Sequence, residues 1–265
     1  MNIVVATSRG KAVFPLLEKK NRSDNIPSRL YFYPGAKYTH LTTETLRIIE
    51  NEHTPNTNIH VYILGGLPDL TKRLKNNPTQ PKYEEVIMEG NAKTNTERIM
   101  KEITTMYDKI SRTGAKIIIC PIVPSNISKW NYTRLTQHKT LSLKQFGLYP
   151  EMQHTLHQTV TQVNKEVTIL NSSHNLRTPF INRSVITSFK VTENQTPKYK
   201  FSYNNFQDGV HPNRLLAQIW CDKLSESISK NFKQINPSSF SPKITVLEKV
   251  SDSEDELHSR SWRPS

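Results

Sequence analysis

Two side chains that together perform acid–base chemistry stand three residues apart late in the chain, within Asp208-Gly209-Val210-His211-Pro212-Asn213. A short turn with that spacing presents both side chains on the same side. The Asp208 carboxylate can then accept the Nδ1–H of His211 and leave Nε2 available as a base. An acid that orients a histidine in this way is part of a catalytic triad, so the stretch predicts a nucleophile elsewhere in the chain.

Ser8 is the candidate nucleophile. It follows a short run of β-branched residues, Asn2–Ala6, and precedes a helical pattern that begins after Gly10. The order strand, small turn, helix lifts a serine to the top of a sheet. Two plainer interpretations stay open on the residues alone, namely Ser8 as a helix cap and Asp208 as a turn former, since Asp-Gly is a common turn pair.

Apolar runs alternate with helical patterns along the chain, which predicts an open, mainly parallel sheet flanked by helices. The predicted strands are Asn2–Ala6, Leu30–Tyr33, Ile59–Leu64, Lys116–Val123 and Val167–Leu170. Asn213 is the predicted N-cap of the last helix, directly behind His211. We therefore expect an α/β fold, a three-layer α/β/α sandwich with a five-stranded sheet and with ligand chemistry at the carboxyl ends of the strands.

The chain of 265 residues is strongly basic, with a formal net charge of +13 and a pI of about 9.7. Such a surface attracts polyanions without a dedicated site, so non-specific nucleic acid or another polyanion is an expected partner. No helix concentrates Lys and Arg on one face and no nucleic-acid motif occurs, which favours a basic surface that is merely solvated.

Few residues point to a metal, a cofactor or a disulfide. The only cysteines, Cys120 and Cys221, lie in apolar patterns typical of buried thiols. His154 and His157 have helical i, i+3 spacing but lack further ligands, and no phosphate-binding or dinucleotide fingerprint occurs. We therefore expect no metal and no cofactor. Without a secretory leader or an apolar run of membrane-span length, a cytoplasmic or nuclear location is expected.

Composition divides the chain into a globular part, residues 1–233, and a Ser/Pro-rich tail with an acidic patch, residues 234–265. We expect the tail to be disordered. Ser251 and Ser253 lie in its acidic patch, which suits either an acid-directed kinase or a purely solubilising role. In the globular part, three long polar stretches are expected to set the specificity of the site: Lys72–Lys93, Ser125–Pro150 and Asn171–Gln207.

The order of these parts resembles the SGNH (GDSL-type) hydrolase superfamily over roughly residues 1–230. The Asp208-x-x-His211 stretch looks very like that family's last block. Pro34-Gly35-Ala36-Lys37 resembles the second block, and Gly65-Gly66-Leu67-Pro68-Asp69-Leu70 resembles the third. The compact form of the whole is most similar to the esterase-type domains carried by some retrotransposons and viruses. The resemblance implies the flavodoxin-like fold of that superfamily.

The resemblance also implies a role for each matching residue. Ser8 is the expected nucleophile, His211 the base that takes its proton, and Asp208 the acid that orients the histidine. The expected oxyanion hole is formed at Ser8, Gly35 and Gly66. With these roles the expected substrate is a small acyl ester and no cofactor is needed.

Two departures from the family pattern put the efficiency of such a site in doubt. The first block normally reads Gly-Asp-Ser, and here it is Ala6-Thr7-Ser8. The third block normally carries an Asn whose side chain donates to the oxyanion. Here Leu67-Pro68 stands in its place, and Pro68 lacks even a backbone N–H. Losing one such donor slows the reaction by about 10²–10³.

Two functions from different classes therefore stand side by side. The first is a serine esterase or acyl hydrolase with an acyl-enzyme intermediate and an incomplete oxyanion hole. The second is a catalytically weak or inactive derivative of the same fold that binds nucleic acid or an acidic partner through its basic surface. The altered first and third blocks favour the second, and the order of Ser8, Asp208 and His211 favours the first.

Overall fold

The computed structural model describes residues 1–52, 58–75, 84–137, 149–189 and 198–235. Its centre is a parallel sheet built from the apolar runs of the sequence. The strands are β1 (Asn2–Ala6), β2 (Ser28–Phe32), β3 (His60–Leu64) and β6 (Lys116–Ile119). Within the described ranges the sheet has four strands in the order β2-β1-β3-β6.

Helices follow the strands, and two small hairpins lie outside the sheet. The helices are α1 (Gly10–Ser23), α2 (Tyr38–Glu52), α3 (Leu67–Leu70), α4 (Ala92–Ser111), α5 (Ile127–Gln137), α6 (Tyr149–Ser173) and α7 (Arg214–Ile235). The antiparallel hairpins are β4 (Lys72–Lys75) with β5 (Glu84–Ile87) and β7 (Ile186–Phe189) with β8 (Lys198–Phe201). A 3-10 helix, Ile181–Val185, leads into the second hairpin.

Alternate residues of each strand point to opposite faces of the sheet, and each face has its own apolar core. Ile3 and Val5 of β1 join a cluster with residues of α2, α4 and α6. Val4 and Ala6 join a second cluster with residues of α1 and α7. The molecule is therefore a three-layer α/β/α sandwich, which confirms the fold class predicted from the sequence.

The first three strands end at the same level of the sheet. Ala6 pairs with Phe32 of β2 and with Leu64 of β3. Because all three strands are parallel, the turns that follow them leave the sheet side by side at its carboxyl edge. This register brings the turn that contains Ser8 next to the turn that contains Gly35.

The prediction of a fifth strand at Val167–Leu170 was wrong, because these residues belong to α6. The buried valines Val160, Val163 and Val167 have the three- and four-residue spacing of a helix face. The run Val-Thr-Ile-Leu is rich in β-branched residues, which favours a strand on local composition alone. Packing of α6 against α4 and the sheet overrides that local preference.

In place of a fifth strand, α6 covers the edge of β6 and of the segment that follows it with asparagine side chains. Asn171 accepts from Ile119 N–H at 3.1 Å and donates to Ile119 C=O at 2.8 Å. Asn164 makes the same pair of bonds with Ile122, at 2.7 and 2.8 Å. A side-chain amide presents the same donor and acceptor as a peptide group, so these backbone groups stay satisfied without another strand.

The α7 helix runs to Ile235, just past the predicted boundary at residue 234, and the remainder of the predicted tail lies outside the described residues. Asn213 Oδ1 accepts from Leu216 N–H at 2.9 Å, which confirms it as the cap of this helix. Cys120 and Cys221 are both buried free thiols, as predicted. Across the described ranges, no helix has the combined length and hydropathy of a membrane span.

Candidate functional site

Ser8 lies in a tight turn between β1 and α1. Thr7 N–H donates to Leu64 C=O at 3.0 Å, which holds the start of the turn against β3. Ser8 C=O then accepts from Lys11 N–H at 3.2 Å, the first turn of the helix. The chain bends so sharply that a Cβ at Gly10 would lie 2.6 Å from the Cβ of Ala6. The serine is thereby placed at the carboxyl end of the sheet, as the sequence predicts.

The Asp208–His211 turn is closed by the Asp208 side chain itself. One carboxylate oxygen accepts from the backbone N–H groups of Val210 at 3.0 Å and His211 at 2.8 Å. The other accepts from His211 Nδ1 at 2.7 Å. Asp208 therefore both forms the turn and orients the His211 ring, so its role as a turn former does not exclude the orienting role predicted for it. With Nδ1 protonated towards Asp208, the second ring nitrogen carries the lone pair.

Helix α5 holds this turn in place from the side. The Gly209 C=O accepts from Asn126 N–H at 2.8 Å, and Lys129 Nζ donates to Phe206 C=O at 2.8 Å. The Trp130 ring lies 5.8 Å from the His211 ring. Gly209 has a φ of +87°, and a Cβ there would lie 2.8 Å from the Asn126 carbonyl oxygen. Only glycine fits a backbone that is both left-handed and this close to another.

The fold brings together the three side chains that the sequence singles out. His211 Nε2 lies 3.4 Å from Ser8 Oγ across 203 residues of chain. Together with the 2.7 Å contact between His211 and Asp208, this completes a serine–histidine–aspartate chain of contacts. The serine–histidine distance is somewhat longer than an optimal hydrogen bond, which is common in catalytic sites without bound substrate.

The charge on Asp208 is stabilised by its hydrogen bonds. Partial burial acts to raise the pKa of the carboxyl. The hydrogen bonds from the His211 ring and from the backbone N–H groups of His211 and Val210 outweigh burial and lower the pKa to about 2. The group is therefore ionised throughout the neutral range, as an acid that supports an imidazolium ion has to be.

Gly35 lies in a tight turn directly after β2. Ala36 N–H donates to Tyr33 C=O at 3.2 Å, Pro34 occupies the second position and Gly35, with a φ of +70°, the third. Proline followed by a left-handed glycine is typical of a type II turn. The N–H groups of Ser8 and Gly35 have no acceptor within the described part of the chain, and both residues line one cavity. They are thus suitably placed to bind an oxyanion.

Gly66 is placed differently from the other two predicted oxyanion residues. It is buried, has a φ of +93° and is not in the described lining of the cavity. A Cβ on Gly66 would lie 2.6 Å from Tyr38 Oη and equally close to Ile122. The glycine is therefore required by close packing against α2. Leu67 and Pro68, which follow it, do line the cavity but offer no polar hydrogen from their side chains.

Asp69 of α3, which sequence reasoning did not assign to the site, forms hydrogen bonds with the start of α2. Its carboxylate accepts from Tyr38 N–H, at the first residue of α2, at 3.1 and 3.2 Å. Burial raises its pKa to about 6, against the lowering effects of the Tyr38 N–H and of Lys37 and Arg98. A carboxylate at a helix N-terminus also complements the helix dipole. Asp69 thus links α3, which carries Pro68, to the start of α2, which follows the Gly35 turn.

A cavity of about 680 Å³ opens above the serine and histidine. The β4–β5 hairpin forms one wall, and Asn131 of α5 fixes it by accepting from Val86 N–H at 2.9 Å and donating to Val86 C=O at 2.8 Å. The described lining consists of Thr7, Ser8, Arg9, Gly35, Lys37, Leu67, Pro68, Asp69, Leu70, Thr71, Lys72, Arg73, Val86, Glu89, Gly90, Asn95, Arg98, Ser125, Trp130, Val210 and His211.

Two of the three stretches predicted to set specificity border this cavity. Lys72–Lys93 contributes its hairpin, and Ser125–Pro150 contributes Ser125 and Trp130. No described residue of Asn171–Gln207 lines it. His154 and His157 lie in the wall of a second cavity, where the His157 ring contacts Gln153 and Tyr203. In the described ranges no three His, Cys, Asp or Glu residues are grouped as a metal site.

Arg9 is a further residue of the cavity wall that sequence reasoning did not single out. Its side chain is only 6% exposed, donates from Nη1 to Val123 C=O and lies 5.7 Å from the Phe206 ring centroid. Burial lowers its pKa to about 10, against the opposing effects of Tyr203 and Asp208. The guanidinium therefore stays charged at neutral pH. No sequence signal marks a buried arginine directly after a candidate nucleophile.

Comparisons with known proteins found matches among solved structures but none among protein-family models or curated sequences. The sequence matches no protein-family model, and no curated protein matches it significantly. A protein of Bacteroides fragilis assigned as an acylhydrolase superposes with a TM-score of 0.55 at 12% identity, over 87% of this chain and 86% of that one. A GDSL-like lipase from Bacteroides thetaiotaomicron superposes with a TM-score of 0.52 at 14% identity, over 87% and 88%. The chain therefore has the fold of the SGNH/GDSL-type hydrolases.

Proposed function

We propose that this protein is a serine carboxylic ester hydrolase that works through Ser8, His211 and Asp208. The observation that carries the proposal is the chain of contacts from Ser8 Oγ to His211 Nε2, at 3.4 Å, and from His211 Nδ1 to Asp208 Oδ2, at 2.7 Å. Further support comes from the position of Ser8 and His211 in the wall of a cavity at the carboxyl edge of the sheet. Two proteins of the same fold are an assigned acylhydrolase and a GDSL-like lipase.

In the acylation step, Ser8 Oγ attacks the carbonyl carbon of a bound ester while His211 Nε2 takes its proton. The carbonyl π electrons move to oxygen, and the N–H groups of Ser8 and Gly35 donate to the resulting oxyanion. Asp208 stabilises the imidazolium that forms. When the oxyanion collapses, the carbon–oxygen bond to the alcohol breaks. His211 returns its proton to the departing alkoxide, which leaves an acyl group on Ser8.

In the deacylation step, water enters the position that the alcohol has left. His211 removes a proton from the water as the oxygen attacks the acyl carbon, and a second tetrahedral oxyanion forms in the same place. The collapse of this intermediate breaks the bond to Ser8 Oγ, which recovers its proton from His211. The products are a carboxylic acid and the regenerated serine.

The oxyanion hole limits the rate of this reaction. With Leu67 and Pro68 at the position of the usual Asn donor, two backbone donors remain, those of Ser8 and Gly35. A missing donor costs about 10²–10³ in rate. We therefore expect slow turnover, well below that of a hydrolase with a complete oxyanion hole.

The test is hydrolysis of 4-nitrophenyl acetate by the purified full-length protein, its Ser8→Ala variant and its Ser23→Ala variant. Ser23 is an exposed serine at the end of α1 and controls for the substitution itself. We expect slow release of nitrophenol by the wild type and by Ser23→Ala, and a fall of about 10³-fold or more in Ser8→Ala. A fluorophosphonate should also form a stable adduct at Ser8 in the wild type and in Ser23→Ala, and no adduct in Ser8→Ala.

Hydrolysis that survives in Ser8→Ala would overturn the proposed mechanism. No hydrolysis by any form, combined with salt-sensitive binding of DNA or RNA, would instead support the non-catalytic derivative. The net charge of +13 and the Leu67-Pro68 replacement are the observations that favour that second function. The adduct experiment separates the two, since a non-catalytic protein does not activate its serine.

A further inference from the structure

The cavity above Ser8 is lined by an excess of positive charge. Five of its described lining residues are cationic and two are acidic. The cationic residues are Arg9, Lys37, Lys72, Arg73 and Arg98. The acidic residues are Asp69 and Glu89. Positive charges gathered around a concave site focus the electrostatic field and raise the local concentration of anions.

Neither acid offsets this charge at the centre of the cavity. The Asp69 carboxylate is 8% exposed and turned to the Tyr38 N–H. Glu89 lies at the exposed rim, where it pairs with Lys72 at 3.2 Å. The Lys72–Glu89 pair is thus neutral as a unit, and the charges of Lys37, Arg98 and Arg9 remain.

Two of these cations are well placed to bind an anionic group. Lys37 is exposed and has no ion-pair partner within the described part of the chain. Arg98 is exposed, and its Nη2 donates to Asp69 C=O at 2.7 Å and to Asn95 Oδ1 at 3.4 Å. These two bonds hold the guanidinium in place while its Nε–H and Nη1–H donors have no acceptor among the described residues. A guanidinium fixed in this way suits a carboxylate or phosphate.

Arg9 adds a fixed charge beside the nucleophile. Its guanidinium is buried, and its Nε and Nη2 have no hydrogen-bond partner in the described part of the chain. A buried charge acts through a medium of lower dielectric than water and is weakly screened by salt. Arg9 thus places a positive charge beside Ser8, and the ionised Asp208, which acts to raise the pKa of Arg9, offsets part of that charge.

We infer that the cavity selects esters that carry a negatively charged group, a carboxylate or a phosphate, alongside the ester bond. This inference rests on the proposed function and adds its substrate class. A neutral acyl chain gains nothing from the charges of Lys37 and Arg98, whereas an anionic substituent is attracted by them. Lipid-like neutral esters are accordingly expected to be poor substrates.

The experiment compares matched pairs of esters that differ in charge. On the acyl side, 4-nitrophenyl hydrogen glutarate is compared with 4-nitrophenyl hexanoate. On the alcohol side, 4-acetoxybenzoate is compared with 4-acetoxybenzamide. We expect kcat/KM for the anionic member of at least one pair to exceed that of its neutral partner by about tenfold or more at low salt, and the ratio to fall as salt is raised.

Variants that each remove one positive charge test whether the selectivity for anionic esters arises in the cavity. Lys37→Gln and Arg98→Gln should each lower the anionic-to-neutral ratio about threefold at low salt, and the double variant by about tenfold, to a value near one. Lys101→Gln is the matched control, because Lys101 is exposed on the same helix as Arg98 and does not line the cavity. It should leave the ratio unchanged. A wild-type ratio near one for both pairs, insensitive to salt, would overturn the inference.

Binding to the Ser8→Ala variant separates this inference from the proposed function. Its affinity for the glutarate and hexanoate esters can be measured by calorimetry without turnover by the triad. Tighter binding of the glutarate ester, weakened by Arg98→Gln, supports an anion-selective cavity even if hydrolysis does not depend on Ser8. Equal binding of the two esters overturns it even if hydrolysis does depend on Ser8.

Discussion

Both oxygens of the Asp208 carboxylate accept hydrogen bonds that fix the turn and the His211 ring. Oδ2 accepts from His211 Nδ1, and Oδ1 accepts from two backbone N–H groups of its own turn. Rotation of the carboxylate would break all three bonds together. The His211 ring is therefore held in one orientation and one tautomer, with Nε2 directed to Ser8.

The Asp208→Asn variant tests this role of the tautomer. An asparagine keeps the size of the side chain, but an amide favours the other histidine tautomer, in which Nε2 carries the proton and cannot act as a base. We expect kcat for a nitrophenyl ester at neutral pH to fall by about 10⁴. The control is Asp222→Asn, since Asp222 is an exposed acid on α7 paired with Lys20. Activity of Asp208→Asn within tenfold of wild type would contradict the assignment.

The turn before α7 and the start of α5 act as one unit. Asn126 caps α5 through its Oδ1, which accepts from Lys129 N–H at 2.8 Å, while its own N–H donates to Gly209 C=O at 2.8 Å. The position of the His211 ring therefore depends on α5, although α5 contributes none of the three side chains of the proposed triad. A shift of one ångström in such an arrangement is enough to slow catalysis about 10²-fold.

Gly209→Ala should disturb this unit directly. The added Cβ would lie 2.8 Å from the Asn126 carbonyl oxygen on a backbone with a φ of +87°. We expect a loss of about 2–3 kcal/mol in the free energy of unfolding and a fall of about 10² in kcat. Urea unfolding and ester hydrolysis measure the two effects.

Gly114→Ala is the matched control for this substitution. Gly114 also has a positive φ, +82°, but a Cβ there would have nothing within 4 Å. This variant should lose about 1 kcal/mol of stability and retain its activity. If both variants lost activity equally, close approach to α5 would not be the reason for the glycine at position 209.

Across the whole molecule, the pH dependence of folding depends on which ionised groups are buried. Asp69 is the clearest case, because burial raises its pKa from 3.8 to about 6 in the native state. The native protein therefore holds a proton that the unfolded chain has released between about pH 4 and pH 6. By linkage, the contribution of Asp69 to stability falls as the pH rises through that window.

The Asp69→Asn variant should remove this dependence. We expect the stability of the wild type relative to Asp69→Asn to decrease by about 2 kcal/mol from pH 4 to pH 7, as measured by urea unfolding. Asp108→Asn, at an exposed acid of α4, should show no comparable change. A wild-type-to-Asp69→Asn difference that is constant with pH would show that Asp69 keeps an ordinary pKa in the folded protein.

Local patterns along the chain predicted the α/β/α class and four of the strands, because each buried parallel strand is a continuous apolar run bounded by turn residues. The spacing of Asp208 and His211 and the strand–turn–helix order around Ser8 also predicted which side chains meet. Those features are local, since a turn or a strand depends mainly on its own residues.

Contacts between distant segments determined the features that local patterns did not predict. Whether Val167–Leu170 is a strand or a helix depends on packing with α4 and on the bonds between Asn171 and β6, which no local pattern contains. The burial of Gly66 under Tyr38 and the excess of cations around Ser8 likewise arise only when separate turns meet at one edge of the sheet. Residue spacing thus indicated the side chains of the proposed triad, whereas the shape and charge of the cavity above them required the assembled fold.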